Sequence, residues 1–208
     1  MDAPTRQLAH TDPELGRLIT RVGPLPPRSY GYADPYQALI FAISHQQLHA
    51  KAADAVLGRL KEAHHGAIPA PDALMALPDS SLRSYGYSAT KIRALKDVAA
   101  KALDGTIPSL TAAQQLGDND LIERLTKIRG VGRWTVEMLL IFALKRPDIL
   151  PVDDFGVREG YRLLHRLPVQ PTPKALRQIG LAYAPYRSLV TLYLWHLAGE
   201  AKAQKARR

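Results

Sequence analysis

Apolar residues recur along this chain at intervals of three and four, and strand-like alternation is nearly absent. That spacing predicts helices over residues 13–22, 34–48, 49–64, 71–77, 89–103, 118–128, 134–144, 154–164, 173–182 and 186–199. The breaks between them, GPLPPRSYGYADP, GAIPAP, YGYSAT, DGTIPS, RPDILPVDD and LPVQPTP, are rich in the Pro, Gly, Asp and Ser that stop helices. The opening MDAPTRQLAHTDPE is polar and reads as a loose lead into the first helix. An all-α protein of about ten helices is expected, without internal repeats.

Composition narrows the class. With 208 residues, 46% of them hydrophobic, the chain can bury a substantial core in one domain or two small lobes. The formal net charge of +9 favours a polyanionic partner. Lys202, Lys205, Arg207 and Arg208 in the basic tail 201–208 supply part of that excess; without them it falls from +9 to +5, so the tail also reads as a solvated appendage. There is no cysteine, which excludes disulfides, thiolate metal sites and four-cysteine iron-sulfur clusters. No apolar run approaches the length of a membrane span and no secretory signal opens the chain. The expectation is an intracellular, cytoplasmic protein, nucleoid-associated in a bacterium-like cell, with no membrane partner.

Candidate chemistry concentrates between Leu125 and Asp154. ERLTKI is a short helical run, Gly130 and Gly132 permit a tight reversal, and WTVEMLLIFAL begins a second, strongly apolar helix. A helix start of this kind presents backbone N–H groups and the positive end of the helix dipole, which favour a phosphate oxygen, and Arg129 and Arg133 flank it. Contacts of this type carry no base-sequence information. A Gly-x-Gly between helices also serves simply as a C-cap and turn. Asp153 and Asp154 follow a proline-bearing loop, and Asp154 opens the run FGVREGYRLL, where an aspartate can cap backbone N–H groups; such a residue is either structural or catalytic. His45 and His49 are four apart but lack the glutamate of an HExxH motif and a third ligand, so a hydrogen-bonding or surface role is expected.

GVGRWTVEM, PVDDFG and YAPYRSLVTLYLW, in that order and spacing, resemble the helix-hairpin-helix DNA glycosylases, and within them the alkyladenine type. The resemblance runs from about Pro35 to Gly199 once FAISHQQLHAKAA is included, which is similar to the family's helix facing the damaged base pair. It implies a two-lobed helical fold, with a central lobe over 36–118, a second lobe from 1–35 and 119–208, and the active site in the cleft between them. It implies that Asp154 is the catalytic acid, with Asp153 capping or fixing the loop just ahead of it. It also implies hydrolysis of the bond between an alkylated purine and deoxyribose, because a nearby carboxylate stabilises positive charge developing on the sugar and can activate water.

Glycosylases of this family that also cut the backbone carry a lysine nucleophile where this chain has Trp134, so the resemblance implies a monofunctional enzyme. Lys127 and Lys145 are nearby in sequence but neither occupies that position. Trp134 and Trp195 are expected either to line the base pocket, where indole faces attract a cationic extruded base, or to pack in the core. Met138 and Phe155 fall where the family often has pocket tyrosines, and Tyr36, with Tyr30 and Tyr32, sits where a loop could close over the base. Gln47 and Leu48 are the candidate wedge that fills the gap left by an extruded nucleotide. Arg129, Gly130, Gly132, Arg133 and Thr135 are the expected contacts to the DNA backbone. The family also implies a monovalent cation, Na+ or K+, on the backbone carbonyls of Thr126, Ile128 and Gly130, and no cofactor for catalysis. The expected partner is double-stranded DNA containing damaged bases, engaged by a monomer. Rival readings are a glycosylase for a deaminated or oxidised base, and a non-catalytic protein that binds DNA damage.

Overall fold

The structure, a computed structural model, describes residues 2–26, 31, 32 and 34–207. Among these residues it contains only helices and their connections, so the all-α expectation holds. They divide into two compact units, Met1–Arg28 with Lys145–Arg208, and Ser29–Leu144.

The first unit contains α1 (Ala3–Thr11), α2 (Pro13–Val22), α11 (Phe155–Leu164), α12 (Pro173–Ile179), a 3-10 turn (Gly180–Tyr183) and α13 (Arg187–Ala206). Helix α1 was expected as a loose lead. It forms because Asp2 caps the Thr5 N–H at 3.0 Å and a proline occupies the first turn, where its missing N–H costs nothing. Leu8, Leu15, Leu18, Ile19, Val157 and Leu194 belong to one buried cluster in this unit. Asp12 caps α2 through Glu14 and Leu15, and its second carboxylate oxygen accepts from the Tyr183 hydroxyl at 2.6 Å and lies 3.1 Å from His165 Nε2. One aspartate thereby starts a helix and ties the N-terminal strand of chain to segments more than 150 residues later. Helices α11 and α13 lie very close: a Cβ on Gly160 would fall 2.2 Å from the Leu194 carbonyl oxygen, so only glycine fits there. Helix α13 extends to Ala206, seven residues beyond the expected end, because AKAQKA consists of strong helix formers. Most of the basic tail is therefore helical, and its residues 202–207 are exposed, as a solvated appendage requires.

The second unit contains α3 (Pro35–His45), α4 (Ala50–Glu62), α5 (Pro71–Ala76), α6 (Asp79–Ser84), α7 (Ala89–Leu103), α8 (Leu110–Gln115), α9 (Asp118–Leu125) and α10 (Arg133–Phe142). Helix α7 is its pivot and packs against α3, α5 and α6, while α3 also packs against α4 and α10. The short helices α6 and α8 were not expected: DSSLRS and LTAAQQ each carry a single large apolar residue, too few to display a helical period. The expected lobe boundary at 118/119 is also corrected. It lies at 144/145, because α10 packs against both α9 and α3, which draws the whole hairpin into the central unit.

Candidate functional site

In the first unit, Asp154 is the N-cap of α11, with its Oδ1 accepting the Val157 N–H at 2.8 Å. The same oxygen accepts the Trp195 indole N–H at 2.8 Å, from a residue 41 positions later on α13. The local chain favours this arrangement: the proline-bearing loop ends in a turn, the aspartate stops it, and Gly156 leaves room behind it. A Cβ on Gly156 would stand 2.9 Å from Trp195 Cδ1 and 3.1 Å from Asp154 Oδ1. Two donors from different elements thus hold one carboxylate oxygen, which fixes the side-chain rotamer. Asp153, by contrast, is exposed in the preceding turn. Phe155 presents 68% of its surface to solvent, a large exposure for an aromatic residue. Beside these residues lies an open groove of about 470 Å³ whose lining includes Phe155, Gly156, Glu159, Trp195, Lys202 and Lys205. Its floor is largely apolar, and its rim carries two lysines and one carboxylate.

In the second unit, the chain turns between α9 and α10 at Gly130, whose φ of +77° is in the left-handed region that favours glycine. Helix α10 begins at Arg133 with Gly132 as its N-cap, a residue with no side chain to cap the first turn. Arg129, Gly130, Gly132 and Arg133 are exposed, as the phosphate-gripping expectation requires. The Arg133 guanidinium also pairs with Glu137 one turn on, at 2.9 Å, and Glu137 is only 3% exposed. Removing Arg133 would therefore disturb a buried carboxylate as well as the surface. The Arg129 N–H donates to Asp97 on α7 at 2.7 Å, which anchors the hairpin tip. Thr135 is corrected: its side chain is buried on the inner face of α10 and is not placed to meet a phosphate.

Two of the expected pocket residues are also corrected. Met138, at 2% exposure, offers no open face to a base. Tyr36 is buried at the start of α3, and its hydroxyl donates to the Pro69 carbonyl at 2.9 Å, which makes it a packing residue and pushes its pKa upward by desolvation. Trp134 is 46% exposed at the start of α10 and keeps a surface for a ligand. Tyr32 packs against Phe41, with ring centroids 5.7 Å apart, and Tyr30 lies outside the described residues.

Helix α3 ends at His45, and the chain then reverses through Gln47, whose φ of +55° is uncommon for any residue but glycine or asparagine. Gln47 and Leu48 are both exposed, Leu48 by 42%. A wedge must project in this way. The adjacent Gln46, which the sequence did not single out, sends its Nε2 to the Gly130 carbonyl at 2.9 Å, across 84 residues of chain. His45 bonds to Asp54 at 2.9 Å, as a hydrogen-bonding role predicts, and no group of three His, Cys, Asp or Glu stands together among the described residues. Gln46, Asp97 and Gly156 escaped sequence reasoning because each acts through a partner that only folding supplies, whereas the Arg133–Glu137 pair has an i,i+4 spacing that the sequence already carried.

A family model for the HhH-GPD superfamily base excision DNA repair proteins matches residues 40–185. The chain is 44% identical over 190 residues to DNA-3-methyladenine glycosylase 1 of Schizosaccharomyces pombe, covering 90% of this chain and 83% of that protein. Among solved structures it is similar to the S. pombe 3-methyladenine DNA glycosylase in complex with abasic DNA, with a TM-score of 0.84, 41% identity, and 93% and 95% of the two chains covered. It is also similar to a DNA-3-methyladenine glycosidase from Bacillus halodurans, with a TM-score of 0.87, 33% identity, and 95% and 90% covered. With the family match spanning Gln47 and Leu48, the glycine hairpin and the aspartate at the head of α11, this chain belongs to the HhH-GPD superfamily of base excision DNA repair proteins.

Proposed function

We infer that the protein is a monofunctional DNA glycosylase that extrudes and excises alkylated purines of the 3-methyladenine type and so starts base-excision repair. The observation that carries this reading is the Asp154 carboxylate, held on Oδ1 by both the Val157 N–H and the Trp195 indole at 2.8 Å. A cap alone would need only the first of these bonds. Asp154 stabilises positive charge on the deoxyribose as the N-glycosidic bond breaks, and it takes a proton from the water that adds to the sugar. The purine, cationic after alkylation, departs with the bonding electron pair as a neutral base, and the product is an abasic site in an unbroken strand. Trp134 stands where a lyase would carry its amine, so no Schiff base forms. In the first unit, the exposed face of Phe155 and the half-buried Trp195 supply aromatic surface attractive to a cationic ring.

The partner in this reading is double-stranded DNA containing a damaged base, gripped through phosphate at the hairpin by a monomeric enzyme without an organic cofactor. Among the described residues no helix is long and apolar enough to cross a membrane, and we place the enzyme with chromosomal DNA inside the cell. The backbone carbonyls of Thr126, Ile128 and Gly130 suit a monovalent cation in chemistry, being neutral oxygen donors. Ile128 O and Gly130 O each already accept one hydrogen bond, from Val131 N and Gln46 Nε2, and each has a second lone pair. A Na+ or K+ there would reinforce the positive field behind the phosphate grip.

The test is release of free base from methylated duplex DNA by the unaltered protein and by Asp154→Asn, with strand breaks scored before and after alkali. Asparagine keeps an oxygen for Val157 and Trp195 but removes the charge, so the fold should persist while release falls by at least about a hundredfold. Strands intact until alkali support the monofunctional assignment. Equal release by the two proteins, or strand scission without alkali, would defeat it.

A further inference from the structure

Three residues on one stripe of α7 serve two separate functional loops. Lys91 donates from Nζ to the Ser44 carbonyl at 2.7 Å, at the end of α3 just ahead of Gln47. One turn later, Ala94 lies beneath the hairpin, its Cβ 3.0 Å from where a side chain on Gly130 would begin. A further turn on, Asp97 accepts the Arg129 N–H at 2.7 Å. Residues at i, i+3 and i+6 form one inclined ridge of a helix, so the base of the wedge and the tip of the hairpin stand on a single rigid strut. Gln46 then joins the two loops to each other through the Gly130 carbonyl. Gln46 sits at the C-cap of α3, whose own backbone N–H returns to Ala42 and Ile43, so its side chain is the part that reaches outward.

We propose that Gln46 is a positioning residue that braces the wedge loop against the phosphate-gripping hairpin, so that Gln47 and Leu48 enter the duplex in register with the gripped strand. This rests on the glycosylase reading. Inserting a side chain into a base stack requires a reaction point; without one, the loop is pushed back by the duplex instead of opening it. The hairpin, fastened to phosphate, is that point, and the Gln46 amide transmits the load to the loop. The chain favours the same conclusion at Gln47, where a left-handed backbone is kept without glycine, at a cost in strain.

The test compares two duplexes carrying the same methylated purine, one with the lesion paired to its ordinary partner and one with it opposite an abasic analogue. In the second there is no pair to break and the gap is already open. Single-turnover base release is measured with enzyme in excess for wild type, Gln46→Ala and Gln46→Met, the last keeping length without a donor. The ratio of the rate on the paired duplex to that on the open one should fall roughly three- to tenfold in both variants, as expected for loss of one hydrogen bond. A fold defect would lower both rates together. A wild-type ratio in both variants overturns the brace, whatever happens to the absolute rates. Failure of the wild-type protein to release base from either duplex would overturn the glycosylase reading, and the brace with it.

Discussion

At the scale of single residues, the site depends on a few side chains whose bonds can be removed one at a time. The Trp195 indole donates to Asp154 Oδ1, and phenylalanine in its place would keep an apolar ring while deleting that donor. Hydrogen bonds to a charged group contribute about 1.5–3 kcal/mol to stability, so Trp195→Phe should lower the melting temperature by roughly 3–12 °C and, with the carboxylate no longer held, slow base release. Single-turnover kinetics beside calorimetry checks this, and an unchanged rate would remove the indole from the catalytic arrangement. Gln47 makes the opposite exchange. Its left-handed backbone would suit glycine better, so Gln47→Gly should stabilise the fold by up to about 1 kcal/mol yet weaken release from a fully paired duplex. A melting curve and a release assay on one preparation decide it.

At the scale of elements, the contact between α11 and α13 holds the Asp154 and Trp195 pair together. Gly160 lets the two backbones approach, and Gly160→Ala would drive a methyl group into the Leu194 carbonyl. Overpacking of this kind costs about 1–3 kcal/mol, which for a chain of this size lowers the melting temperature by roughly 2–12 °C. Because both members of the pair sit on the separated helices, base release should fall as well. Helix α11 also carries a pH-dependent contribution. Glu159 accepts from Arg162 at 2.8 and 2.9 Å and from Gln170 at 2.8 Å, and these bonds lower its pKa from the usual 4.5 to about 2. A lowered carboxylate pKa stabilises the fold fully above the ordinary value, and that stabilisation is lost as pH falls from about 4.5 through about 2. Glu159→Gln should therefore show a shallower decline of melting temperature across that window than the unaltered protein.

At the scale of the whole molecule, the net charge of +9 predicts duplex binding that weakens steeply with salt. Arg129 is exposed at the hairpin tip, and Arg129→Ala should reduce the slope of log affinity against log salt by about 0.9, the value of one phosphate contact. Titrations at several salt concentrations test this, and an unchanged slope would remove Arg129 from the interface. The sequence by itself determined the all-helical class, the longer helices, the turn at Gly130 and the capping position of Asp154. These follow from local periodicity and from backbone rules acting over a few residues. It placed the end of the last helix too early, because helix propensity carries that helix through the exposed basic tail. Only tertiary structure decided that Tyr36, Met138 and Thr135 are covered, that the hairpin joins the central unit, and that Trp195 meets Asp154 across 41 residues and Gln46 meets Gly130 across 84. The reason is physical: burial and hydrogen-bond pairing depend on which helix faces another, and a local pattern shows that a face is apolar without showing what will cover it.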